Sequence, residues 1–168
     1  MASETNANVQ SALENLNDKV DIIYKHQSLL AEYSSTPRDY GTGYLMTEVE
    51  AHTIGFINHQ QGITATELAD QTHRTKGAIS QLIAKLEAKG LVRREVEPNN
   101  KRTYRIYLTE EGQRACEIHR AYDRTSMLVM INDILEKCTM EEIDCFFKVL
   151  NRRNEIIETQ IRERKRKK

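Results

Sequence analysis

Lys76, Gly77, Ser80, Gln81 and Lys85 are spaced to share one side of a helix, and Asn99, Asn100, Lys101 and Arg102 follow as a polar cluster. Their chemistry is recognition, not bond making. Ammonium and guanidinium groups neutralise phosphates, and amide and hydroxyl groups exchange hydrogen bonds with base edges. Gly77 removes side-chain bulk where a backbone must approach closely.

The charge pattern fits that chemistry. Lys plus Arg and Asp plus Glu both number 25, yet from Gln71 to Arg105 nine bases (Arg74, Lys76, Lys85, Lys89, Arg93, Arg94, Lys101, Arg102, Arg105) face three acids (Glu87, Glu95, Glu97), a local +6. RERKRKK at the C-terminus adds +5, leaving −11 for everything else. Positive charge confined to one stretch suits a single nucleic-acid-binding face, because phosphates need neutralising only where the duplex lies. A solvated surface would show the same totals.

The elements that must position these residues are legible from period and caps. In THRTKGAISQLIAKLEAKG, Thr75 is an N-cap and Gly90 a C-terminal stop, and Ile79, Leu82, Ile83 and Leu86 form an i, i+3, i+4, i+7 apolar stripe opposite the polar face. Thr47/Glu50, Thr64/Glu67 and Thr139/Glu142 predict capping boxes opening helices over 47–60, 64–71 and 139–161. Thr109 caps another helix running to about Lys137, with Glu110 and Glu111 in its first turn. After Gly90 the period falls toward two: LVRREVE and RTYRIYL flank PNNK, a β-hairpin. At the start, Val9, Leu13, Leu16, Val20, Ile23, Gln27 and Leu30 mark a long amphipathic helix over about 5–33, followed by a loop through SSTPRDYGTG.

Composition bounds the rest. The 168 residues suit one domain with an extension, and three Phe and no Trp imply an aliphatic core. Two Pro and seven Gly favour long helices over a sandwich of short strands. No apolar run approaches the ~18 residues needed to span a bilayer, and MASETNANVQ lacks a signal-peptide core, so a cytosolic protein without membrane contact is expected. Cys116, Cys138 and Cys145 have no C-x-x-C spacing and read as structural thiols. There is no Gly-rich phosphate loop, nucleophile elbow or metalloprotease helix, so neither catalysis nor a cofactor is expected.

From Met46 to about His119 the order ITATELA, RTKGAISQLIAKLEAKGLVRR and NNKRTYRIYLTEEG resembles the MarR family of bacterial and archaeal regulators, with KLEAKGLV and LTEEG matching its helix exit and LTxxG signature. The resemblance implies a mainly α fold: a winged helix-turn-helix over approximately 47–108, flanked by dimerisation helices over approximately 5–33 and 109–161, with a basic tail at 162–168. It implies that Thr75, Lys76, Gly77, Ser80, Gln81 and Lys85 face the major groove of double-stranded DNA. Arg102 becomes the wing arginine, with Arg74, Asn100 and Lys101 completing the contact set. The family's usual wing Asp is Asn100 here, a weaker brace for a guanidinium than a carboxylate.

Further implications are a homodimer that represses at a pseudo-palindromic operator and a small aromatic or lipophilic effector in a cleft, for which Tyr44, Met46, His52 and Met127 are the candidate lining. Core packing is the plainer role for Met and Tyr at such positions. A metal-responsive variant would use His52, Cys116 and His119, but three candidates on two helices do not make a site, and no metal is assigned. The competing class is a winged-helix protein-docking module. For the tail, disorder is favoured over helix extension or nonspecific DNA binding.

Overall fold

The computed structural model describes residues 20–97 and 100–167, apart from the side chains at 20, 100–102 and 165. Val9, Leu13 and Leu16 of the expected first helix, and Pro98 and Asn99 of the hairpin turn, lie outside the described residues. The chain divides into two compact units, one ending at Tyr122 and one beginning at Asp123.

The first unit opens with α1 (Val20–Ser35). In the segment expected to be only a loop, β1 (Arg38–Asp39) and β2 (Leu45–Met46) form a small antiparallel ladder. Asp39 organises it: Oδ1 accepts the N–H groups of Gly41, Thr42 and Gly43 at 2.9, 2.9 and 3.1 Å. This turn is written by one carboxylate, which hydropathy does not reveal.

α2 (Glu48–His59) and α3 (Ala65–Gln71) start where their caps predict. In each box the Thr hydroxyl accepts the N–H of the Glu at 3.2 Å, and the Glu carboxylate accepts the Thr N–H at 2.8 Å. α4 (Lys76–Ala88) follows a turn containing His73 at φ 53, the one non-glycine residue of positive φ among the described residues. That left-handed conformation strains a side-chain-bearing residue. His73→Gly is expected to raise stability by ~1 kcal/mol, read as a higher midpoint in a thermal melt; a lower midpoint would mean that the His side chain itself holds the turn.

β4 (Val92–Glu97) and β5 (Asn100–Leu108) form the expected hairpin. A third strand, β3 (Ile63–Thr64), pairs Ile63 with Ile106, giving the order β3-β5-β4. Gln61 extends the joint by accepting the Leu108 N–H at 3.0 Å. The core is aliphatic, as expected: Met46, Ile54, Ile57, Ile63, Leu68, Ile79, Ile83, Leu86, Leu91 and Ile106 are fully buried.

α5 (Glu110–Leu135) begins against the end of α4. Thr109 donates its hydroxyl to the Gly90 carbonyl at 2.6 Å and its N–H to Leu91 O at 3.1 Å. A Cβ on Gly112 would overlap that same Leu91 carbonyl. The glycine of LTEEG is thus a contact requirement between two backbones.

In the second unit, α6 (Met140–Arg166) carries the third capping box at Thr139. It runs beyond the expected end at 161. The basic run through Arg166 is helical, correcting the disorder favoured from composition; outward propagation of an established helix adds one hydrogen bond per residue fixed, so charge repulsion alone does not end it. Cys116 is buried, and burial pushes its thiol pKa up, whereas Cys138 and Cys145 are exposed. Only the first is a packed core thiol.

Candidate nucleic-acid interface

The Thr75 hydroxyl accepts the Ala78 N–H at 3.2 Å and so caps the start of α4. Ile79, Leu82, Ile83 and Leu86 face the core as the stripe predicts. Arg74, Thr75, Lys76, Gly77, Ser80, Gln81 and Lys85 are all exposed, so seven of the ten sequence-predicted contacts lie on one accessible stretch. A Cβ on Gly77 would meet nothing within 4 Å among the described residues, so none of them requires that glycine. The backbones of Asn100, Lys101 and Arg102 belong to β5, and their side chains lie outside the described residues.

Ion pairing sorts the seven bases of this stretch whose side chains are described. Arg93 pairs with Glu95 and lies 4.8 Å from the Tyr107 ring centroid. Arg94 reaches Glu87 at 3.0 Å. Arg105 pairs with Glu97 and donates to Gly62 O at 3.0 Å. The three acids of this stretch are therefore each matched by an arginine, and Lys89 reaches Glu50 at 3.0 Å. Among the described residues, Arg74, Lys76 and Lys85 make no ion pair. Among the described side chains of this stretch, the unmatched positive charge sits on α4 and the turn before it.

Sequence reasoning missed a groove between α4 and the sheet. It has a volume of about 270 Å³ and is lined by Thr64, Thr66, Ser80, Arg94, Thr103 and Tyr104 together with Ala65, Ile83 and Ile106. Strand alternation places Tyr104 on the Ile106 face of β5, and Val96, its cross-strand partner, is likewise exposed near the hairpin end. The signal was present, but the meeting of this face with Ser80 depends on tertiary packing.

The effector candidates are dispersed. Met46 is wholly buried, Tyr44 is partly buried against the core, and His52 is exposed. His52 lines a cleft of about 380 Å³ with Ser34, Glu48, Thr53, Phe56, Thr72 and Arg74, whereas Tyr44 and Met46 do not line it. Met127 is exposed in the second unit. Of the three candidate metal ligands, His52 and His119 meet edge-on with ring centroids 5.2 Å apart. Tyr40 packs on His119 at 4.6 Å, and Cys116 is buried.

The model of the MarR family matches residues 46–103, the span from β2 into β5. The HTH-type transcriptional regulator YcgE of Bacillus subtilis is 27% identical over 120 residues, 71% of this chain and 73% of that protein. The transcriptional regulator HosA of Escherichia coli O111:H- is 32% identical over 69 residues, covering 41% of this chain and 51% of HosA, about half its length. Among solved structures, the Staphylococcus aureus MepR–DNA complex has a TM-score of 0.64 at 21% identity, covering 80% of this chain and 96% of MepR. Streptococcus pneumoniae FabT in complex with DNA has a TM-score of 0.59 at 23% identity, covering 86% and 96%. At those identities the structural likeness is one of fold. Among the described residues no helix is long and apolar enough to cross a membrane. Fold, matched segment and curated relatives agree: residues 46–103 match the MarR family as a winged helix-turn-helix, and the chain is similar to transcriptional regulators that carry one.

Proposed function

We propose that this chain binds double-stranded DNA sequence-specifically, with α4 in the major groove and Arg102 of the wing at the adjoining minor groove. The observation that carries this reading is the sorting of charge: wing-base arginines are neutralised by neighbouring acids, while Arg74, Lys76 and Lys85 remain unmatched among the described residues on the exposed stretch. Ser80 and Gln81 on the same face supply base-edge partners. MepR and FabT, whose folds this chain shares, are each solved with DNA.

The working unit in this reading is a homodimer. Ile22, Leu29 and Leu30 of α1 and Phe146, Phe147 and Ile157 of α6 are exposed apolar side chains, which a second copy would bury. Two-fold symmetry would present two recognition helices to half-sites about 34 Å apart. Repression follows from occupying a promoter operator. A small aromatic or lipophilic acid would release it by favouring a helix spacing that no longer matches the DNA repeat.

Fluorescence anisotropy tests the proposal on DNA from upstream of the protein's own gene and on a scrambled duplex, at two salt concentrations. Tighter binding to the native duplex, lost in Lys76→Ala/Gln81→Ala and weakened in Arg102→Ala, is the expected result. Absence of binding to any duplex at low salt would sink it in favour of a protein-docking module, whose apolar contacts are not weakened by salt.

A further inference from the structure

Lys89 and Glu50 are 39 positions apart and do not belong to the proposed DNA-facing set. Lys89 is the C-cap residue of α4. Its Nζ donates to Leu45 O at 2.7 Å and to Glu50 Oε2 at 3.0 Å. That same carboxylate oxygen accepts the Thr47 N–H at 2.8 Å and the Thr47 hydroxyl at 3.3 Å, closing the capping box of α2. Glu50 is only 5% exposed. Burial alone would raise its carboxyl pKa, but the Thr47 N–H and the Lys89 ammonium outweigh burial and hold it below the ordinary carboxylate range.

The other two capping boxes show what is unusual here. Glu67 and Glu142 close theirs while exposed, and neither forms an ion pair among the described residues. A box therefore needs neither burial nor a lysine. At α2 a cation has been brought to a buried box from the end of the helix that presents Lys76, Ser80 and Gln81.

We propose that the Lys89–Glu50 pair is a positioning device for α4, fixing the pitch at which its outer face meets DNA; the inference rests on the interface proposed above. The physical reason is directionality. Ile79, Ile83 and Leu86 hold α4 on the core by apolar contact, which is non-directional and tolerates small rotations. Two short hydrogen bonds from one ammonium to fixed acceptors do not. They act at the residue where α4 turns into the hairpin: Gly90 N–H donates to Glu87 O at 2.9 Å and Leu91 N–H to Leu86 O at 3.0 Å. Lys89 is thus a positioning residue acting through the helix, with no contact to DNA of its own.

The test compares wild type, Lys89→Met and Lys89→Met/Glu50→Gln by anisotropy on the native and scrambled duplexes across a salt series, with thermal midpoints alongside. Lys89→Met keeps the aliphatic stem and leaves a buried carboxylate without its cation. It is expected to lower the native-to-scrambled affinity ratio roughly tenfold, with an unchanged salt slope and a lower midpoint. In the double variant no buried charge is left uncompensated, so the midpoint recovers in part while the affinity ratio stays low. Recovery of the ratio together with the midpoint would reduce the pair to a stability element. An equal loss on both duplexes with a shallower slope would make Lys89 a phosphate contact, and an unchanged ratio would remove any role in recognition. Wild type that shows no preference, with Lys76→Ala/Gln81→Ala also silent, would instead overturn the interface reading and take the positioning role with it.

Discussion

Gly112→Ala is expected to lower the unfolding free energy by ~3 kcal/mol, a drop in thermal midpoint of roughly 10 °C for a chain of this size. The sign runs against helix propensity, by which alanine inside α5 would be favoured by about 1 kcal/mol. Steric exclusion decides it, because the added Cβ would overlap Leu91 O, a backbone atom with no rotamer available for escape. Leu91 cannot easily retreat either: its carbonyl accepts the Thr109 N–H at 3.1 Å and its N–H donates to Leu86 O at 3.0 Å. Circular dichroism during heating and urea titration measures the effect. A midpoint within a degree or two of wild type would show that the α4–α5 junction can open cheaply.

The second large effect concerns charge. Lys76→Ala/Lys85→Ala is expected to reduce the slope of log affinity against log salt by about two, since each phosphate neutralised contributes about 0.9 on duplex DNA. At low salt the affinity should fall by about two orders of magnitude, on native and scrambled DNA alike, because phosphates carry no sequence. Removing Arg105 instead should leave the slope nearly unchanged, since its guanidinium is held by Glu97 and Gly62 O. Equal slopes for wild type and the lysine double variant would mean that α4 does not face the duplex.

What could be read from the sequence was local. The α4 stripe, the three capping boxes and the stop at Gly90, where φ is +73, depend on residues within about four positions of one another, and all appear where expected. The hairpin was legible because two short runs flank turn formers. What escaped was set by distant partners. Ile63 reads as a residue before a helix, yet it pairs with Ile106. Arg105 reads as an outward base but is tied to Glu97 and Gly62 O. Glu50 reads as an ordinary cap, and nothing near it in the chain announces Lys89. The effector candidates depended most heavily on resemblance, and the structure distributes them between core, surface and the second unit.

The junction around Leu91 also bears on how such a chain can diversify. Hydroxyl, amide and Cα of the Thr109–Gly112 turn all meet Gly90 and Leu91, so one residue inserted between α4 and β4 would break three contacts at once. The step from α4 into the hairpin is therefore a place where this fold admits no change of length, and α4 keeps its seat because the start of α5 measures that step.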